Sequence, residues 1–335
     1  MLHEAKVLLE MSKHYREQTI ENPPSRWTLA LGKDGYIIHP YYPSSELFRG
    51  QNKRFSPCLP SLFRGIDKVP HQMNLLTIEE QARLVVRQTK IHWFQKELSI
   101  HPILKWAKEN NLSINLMALA QHYEIATGYI DVTQSFNVAA FFATCRKSVD
   151  GNWVSIPDGI GVIYKIECNK IDMELLEPVG LQPFPRPKEQ WAWVLEIPMG
   201  HDFERDPAIS FLEFTQDSHV SEYFLKQFNY GKSLFPNDPL ADLAERVKQS
   251  ESIFFGLLES VLNGFINLQG GIKIEDKENI LKAISKITNV VDNDIVLLTN
   301  AEIEDIKLLW EAKKEEFITS TSLVPIFVRL EPVDN

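Results

Sequence analysis

The sequence predicts a mixed α+β fold, with an N-terminal helix ahead of it and a mostly helical C-terminal part behind. Three observations carry this. Apolar residues recur at helical spacing before Pro23, short β-branched and aromatic runs alternate with turns and helical stretches as far as about Ile197, and long amphipathic runs replace them from about Pro239. Of the 335 residues, 44% are apolar and 24% charged, which supports a large core and excludes disorder or a fibrous repeat.

Taken in order, Val7, Leu8, Met11 and Tyr15 mark one helical face, and Pro23 with Pro24 stop that helix. From Trp27 to Pro60, aromatic and β-branched clusters are interrupted by Gly32, Asp34, Gly35 and prolines, a pattern of short strands and turns. Thr77 to Tyr123 reads as helical, with Leu84, Val85, Ile91 and Phe94 on one apolar face. GYIDVTQS then reads as a strand, and NVAAFFATC directly behind it as a compact apolar helix. GIGVIYKIE and WAWVLEI read as further strands, separated by the proline-rich PVGLQPFPRPKEQ. The last quarter is helical, broken at Gly270 and Gly271. These shifts divide the chain at 1–30, 31–245 and 246–335.

Thirty-five Lys plus Arg against forty-five Asp plus Glu give a formal charge of −10. That removes the general attraction to nucleic acid or an anionic membrane and leaves protein or small-molecule partners. The N-terminus mixes charges among its apolar residues, unlike a signal peptide, and no window approaches the roughly 20 apolar residues of a membrane span. Cys58, Cys145 and Cys168 are widely spaced and fit free thiols in a reducing cytoplasm. P-loop, GxGxxG, HExxH, GxSxG and EF-hand patterns are absent, so the chemistry must rest on a dispersed set of residues.

That set begins with Arg49, between an apolar run and Gly50, with Gln51 and Asn52 beside it. A guanidinium offers a planar fork for a diphosphate or a carboxylate. Gly50 is expected to let a ligand approach the backbone. Asp131 and Thr133 are two apart on a strand, so a carboxylate and a hydroxyl share one face within reach of a ribose or similar polyol. The helix from about Asn137 would turn its first amides toward the same place. Structural roles compete at each position. Arg49 could pair with a buried carboxylate, Asp131 and Thr133 could cap the following helix, and His122 with Tyr123 could be packing at a helix end. Arg64, in a second Leu-Phe-Arg-Gly, reads as a structural ion pair rather than a ligand arginine.

Phe48-Arg49-Gly50-Gln51, Leu59 to Arg64, Gln121-His122-Tyr123, Asp131-Val132-Thr133, Ala139 to Ala143 and Leu234-Phe235-Pro236 occur in an order that resembles the FRG family over about 40–245. This prokaryotic and viral module is named for its Phe-Arg-Gly signature. The resemblance implies a mainly antiparallel sheet core like the ADP-ribosyltransferase fold and an NAD-dependent transferase acting as a toxin or phage-defence effector; a non-catalytic nucleotide or partner sensor is the alternative. It assigns Arg49 to the first NAD-holding position, Thr133 with Asp131 to the second, and Glu189 or Gln190 to the third, which carries the catalytic glutamate. Gln51, Gln121, His122 and Tyr123 fall among the implied nucleotide contacts. One departure stands out. The family's Gly-x-Pro-Thr-Arg run is replaced by Glu124 to Gly128, so its arginine has no counterpart at Gly128.

Overall fold

The protein is described by a computed structural model covering residues 2–21, 27–32, 35–40, 45–66, 68–179 and 184–320. The chain opens with β1 (Leu2–Glu4), α1 (Val7–Glu21), the paired strands β2 (Trp27–Gly32) and β3 (Gly35–Pro40), and β4 (Glu46–Gln51). Three helices follow, α2 (Ile78–Leu98), α3 (Pro102–Glu109) and α4 (Leu116–His122). The next elements are β5 (Tyr129–Thr133), α5 (Phe136–Thr144), β6 (Cys145–Lys147), β7 (Trp153–Ser155), β8 (Ile160–Glu167) and β9 (Leu176–Pro178). Beyond them come α6 (Pro185–Glu189), β10 (Ala192–Glu196), β11 (Ile209–Thr215) and α7 (Ser218–Gln227). The C-terminal part holds α8 (Pro239–Gln249), β12 (Ser252–Phe254), α9 (Phe255–Asn267), α10 (Lys277–Ile284), β13 (Asn289–Val291) and α11 (Asn300–Ser320).

The main sheet has the order β1-β11-β8-β4-β5-β10-β9 and is antiparallel throughout except for the parallel β1–β11 pair. Side chains alternate across it, as a strand's period of two requires. Leu47, Ile130, Val132, Tyr164, Trp193 and Leu195 fill one face. Phe48 and Ile163 face the other, where α1, α5 and α7 pack. Tyr15 of α1 reaches over Phe48 and Phe136, with ring centres 4.7 and 5.3 Å away.

A separate helical layer buries Leu84, Val85, Ile91 and Phe94 of α2, the expected apolar face, against α8 to α11. The expected division at residue 245 therefore falls inside α8, and helices on both sides of it share one core. Local signals place the helix starts. Thr77 and Glu80 form a reciprocal capping box at α2. Asn115 accepts from the Met117 and Ala118 amides at α4. The Pro23–Pro24 stop lies outside the described residues. Among the described residues, no helix is long and apolar enough to cross a membrane.

Several strands escape the sequence reading, the three-residue β6, β7, β9, β12 and β13 as well as β1 and β11 of the main sheet. β1 is only three residues long, and β11 spreads its apolar residues over both faces, Ile209 and Phe211 on one and Leu212 and Phe214 on the other, so neither shows the alternation of a half-buried strand.

One polar contact ties the layers together. Tyr123, 1% exposed, donates its hydroxyl hydrogen to Asp238, whose other oxygen caps α8 by accepting from the Leu240 amide. Asp238→Ala removes the cap and orphans a buried hydroxyl, a combined loss of about 3 kcal/mol. Asp238→Asn keeps one acceptor for the Leu240 amide and can offer its NH2 to the Tyr123 oxygen, so it is expected to lose less than the alanine variant in a denaturant titration.

Candidate functional site

The sheet splits at its centre. β4 pairs with β8 along its whole length, and β5 pairs with β10 along its own, yet β4 and β5 pair only at Phe48↔Thr133. Past that point the Arg49 side chain spans the opening. Its Nη1 donates to the Asp131 carbonyl oxygen at 2.7 Å, satisfying a group that strand pairing leaves open. Its Nε is buried and has no hydrogen-bond partner.

Gly50 has a different task from the one expected. A Cβ there would lie 1.7 Å from the Ala139 carbonyl oxygen and 2.9 Å from the Ala143 nitrogen, so the glycine admits the backbone of α5, not a ligand. The three consecutive residues therefore divide the work. Phe48 anchors the strand in the core, Arg49 enters the split, and Gly50 lets the helix close on the strand.

The split opens into a cleft of about 450 Å³, within the usual range for a small-molecule site. Arg49, Arg64, Arg146, Lys147 and Arg186 line it, against the carboxylates Glu124 and Asp131. An acidic chain thus concentrates positive charge in one concavity, the condition for recruiting an anion. Aromatic surface lies beside it. Trp153 and Phe235 stack with ring centres 5.0 Å apart, and the Arg186 guanidinium sits 4.7 Å from the Phe235 ring centre.

Asp131 is held by a chain of hydrogen bonds whose direction the backbone fixes. The Tyr129 amide donates to Thr127 Oγ1 at 3.1 Å, so that hydroxyl donates onward to Gln121 Oε1 at 2.6 Å. Ser61 Oγ likewise accepts from the Thr127 amide and reaches Gln121 Oε1 at 3.3 Å. The Gln121 amide nitrogen must then face Asp131, and it donates to Oδ2 at 2.7 Å. On the other side, His122 Nδ1 lies 3.4 Å from Asp131 Oδ1. Burial lowers the His122 pKa, the opposing pull of Asp131 notwithstanding, and neither Asp131 Oδ1 nor His122 Nε2 has a hydrogen-bond partner. The Asp131 side chain remains 40% exposed to the cleft.

The other expected site residues fall in several places. Gln51 lines the cleft, and Thr133 lies at its inner end. Thr133 Oγ1 donates to the Gln190 carbonyl oxygen at 2.7 Å and accepts from the Ser135 amide at 3.0 Å, a Ser/Thr turn just ahead of α5, whose cap is Ser135 and not Thr133. Gln190 is buried and donates to the Leu234 carbonyl oxygen at 3.1 Å. Tyr123 points to Asp238 and does not line the cleft. Glu189 is exposed and lies outside it. Ser135 caps α5 by accepting from the Val138 amide, so that first-turn donor is already engaged. Arg64, expected in an ion pair, has no carboxylate within pairing distance among the described residues and lines the cleft instead. The repeated Leu-Phe-Arg-Gly was the signal for it. Glu124, Lys147, Trp153 and Arg186 carried no such signal, because scattered chain segments bring them together.

The FRG domain's family model matches residues 44–151. This chain contains an FRG domain. The match spans about a third of the chain, less than the 40–245 over which the motifs were read. The FRG domain supplies Arg49, Arg64, the Asp131 network and Lys147, while Trp153, Arg186 and Phe235 complete the cleft from beyond it. No curated protein and no solved structure gives a significant match to the chain.

Proposed function

We propose that the cleft binds NAD or a related nucleotide and that the protein is an ADP-ribosyltransferase-like transferase. The carrying observation is the half-used fork of Arg49, with Nη1 fixed on the Asp131 carbonyl and Nε buried without a partner, in a cleft also lined by Arg64, which has no carboxylate in pairing distance among the described residues. A diphosphate supplies acceptors for both guanidinium groups. The stacked Trp153 and Phe235 offer apolar surface for a base.

In this reading Asp131, not Glu189, is the carboxylate that faces the sugar. As the bond to nicotinamide breaks, positive charge develops on the ribose, and a carboxylate fixed in advance by Gln121 stabilises it. The acceptor is a protein or a small molecule. Consumption of NAD in the cytoplasm would serve a toxin or phage-defence effector. A nucleotide-sensing module without catalysis is the second reading, favoured by the place of Glu189 outside the cleft.

Nicotinamide release from NAD separates the two. Release is expected from the parent protein, with a loss of about 100-fold or more in Asp131→Asn and near-parent rates in Glu189→Gln. Binding without release would favour the sensor, and release unaffected by Asp131→Asn would contradict the assigned carboxylate.

A further inference from the structure

Glu124 sits where three elements converge on the cleft wall. One of its oxygens accepts from Lys147 Nζ and Arg186 Nη2, each at 2.8 Å, and the other lies 3.4 Å from Lys248 Nζ. Partial burial raises the Glu124 pKa, but the hydrogen bonds and charges of Lys147 and Arg186 outweigh it and bring it down to about 2. Lys248 is also paired with Glu245 at 2.6 Å, so the balance on the cleft side is one carboxylate against two cations, Lys147 and Arg186.

Two of these cations are placed by contacts independent of Glu124. Arg186 lies over Phe235 and, at 5.5 Å, over Tyr123, while Lys147 lies 5.3 Å from the Phe235 ring centre. The Arg186 side chain is nine-tenths buried and lines the cleft, yet its Nε has no partner. A buried N–H without an acceptor is costly, and a bound oxygen would remove that cost. Glu124 itself has φ +66° at the end of α4, where helices ordinarily finish on glycine or asparagine. Such a conformation persists in a non-glycine residue when its surroundings hold it.

We propose that Lys147 and Arg186 form a second anion subsite with Glu124 as its resident occupant, and that the preferred ligand is a nucleotide carrying a phosphate beyond its diphosphate, which displaces the Glu124 carboxylate. The proposal rests on the nucleotide reading of the cleft. A phosphate dianion offers more charge and more acceptor oxygens than the carboxylate it replaces, so it gains what a ligand without that group cannot. The preference is a difference between two affinities, and Glu124 sets its size.

NAD and NADP differ by one phosphate and are the probes. Calorimetric titration of the parent is expected to show NADP bound about tenfold more tightly than NAD. Glu124→Gln removes the competing charge and is expected to widen that ratio several-fold further, while Lys147→Ala brings it close to one. Circular dichroism melts establish that each variant is folded, and Lys147→Ala carries the test if Glu124→Gln does not fold. Equal affinities for NAD and NADP in the parent, or a ratio indifferent to both substitutions, would overturn the second subsite and leave the nucleotide reading standing. Failure of both nucleotides to bind the parent would overturn the two together.

Discussion

Gly50→Ala is expected to destabilise the protein by about 3 kcal/mol or more, at or beyond the upper end of ordinary overpacking costs. The new methyl, which has no rotamer to change, would meet the Ala139 carbonyl oxygen at 1.7 Å, and every atom it strikes is backbone. A flexible side chain could rotate aside, whereas α5 and β4 are held by their own hydrogen bonds and by the Phe48 and Phe136 packing. Relief therefore requires the helix to lift from the strand and open the core. Gly128→Ala is the matched control, since a Cβ there has no neighbour within 4 Å, and its midpoint is expected to move by less than about 0.5 kcal/mol. Chemical denaturation of both variants checks the pair. A Gly50→Ala protein as stable as the control would show that helix and strand do not meet as described.

Arg49→Ala is expected to weaken NAD binding by about 100-fold, the equivalent of one or two charge-assisted hydrogen bonds. It also frees the Asp131 carbonyl from its partner across the split, so a modest loss of stability should accompany it. Arg49→Lys separates charge from geometry. A lysine keeps the positive charge but cannot hold the carbonyl and a phosphate with one planar fork, so an intermediate loss of roughly tenfold is expected. Calorimetric titration of the three proteins gives the comparison. Unaltered NAD affinity in Arg49→Ala would remove Arg49 from the ligand and leave it only the role of bridging the strands.

Much of this architecture was legible in local patterns. The apolar spacing of α2 and the strand-then-helix sequence of β5 and α5 act over a few positions, so the chain states them directly. The half-exposed β11 and the three-residue β1 were not legible, because β1 is too short for a pattern and the apolar residues of β11 do not alternate. The site divides in the same way. Arg49, Gln121, His122 and Asp131 were visible as motif residues, but their connection was not, since it depends on which amides occupy Thr127 and Ser61. Gly50 was read as room for a ligand when its neighbour is a helix, a distinction that only the close approach of α5 makes visible. Arg64, Glu124 and Arg186 come from separate stretches of chain, and no spacing rule links them.

The position of a bound nucleotide is the most direct test of the cleft. In a crystal structure of the full chain grown with saturating NAD, the diphosphate is expected in the opening between β4 and β5, with an oxygen on Arg49 Nε and Arg64 closing on the same group. NAD bound elsewhere on the surface, or an opening left unchanged when calorimetry shows the protein saturated, would contradict a nucleotide site at the split sheet.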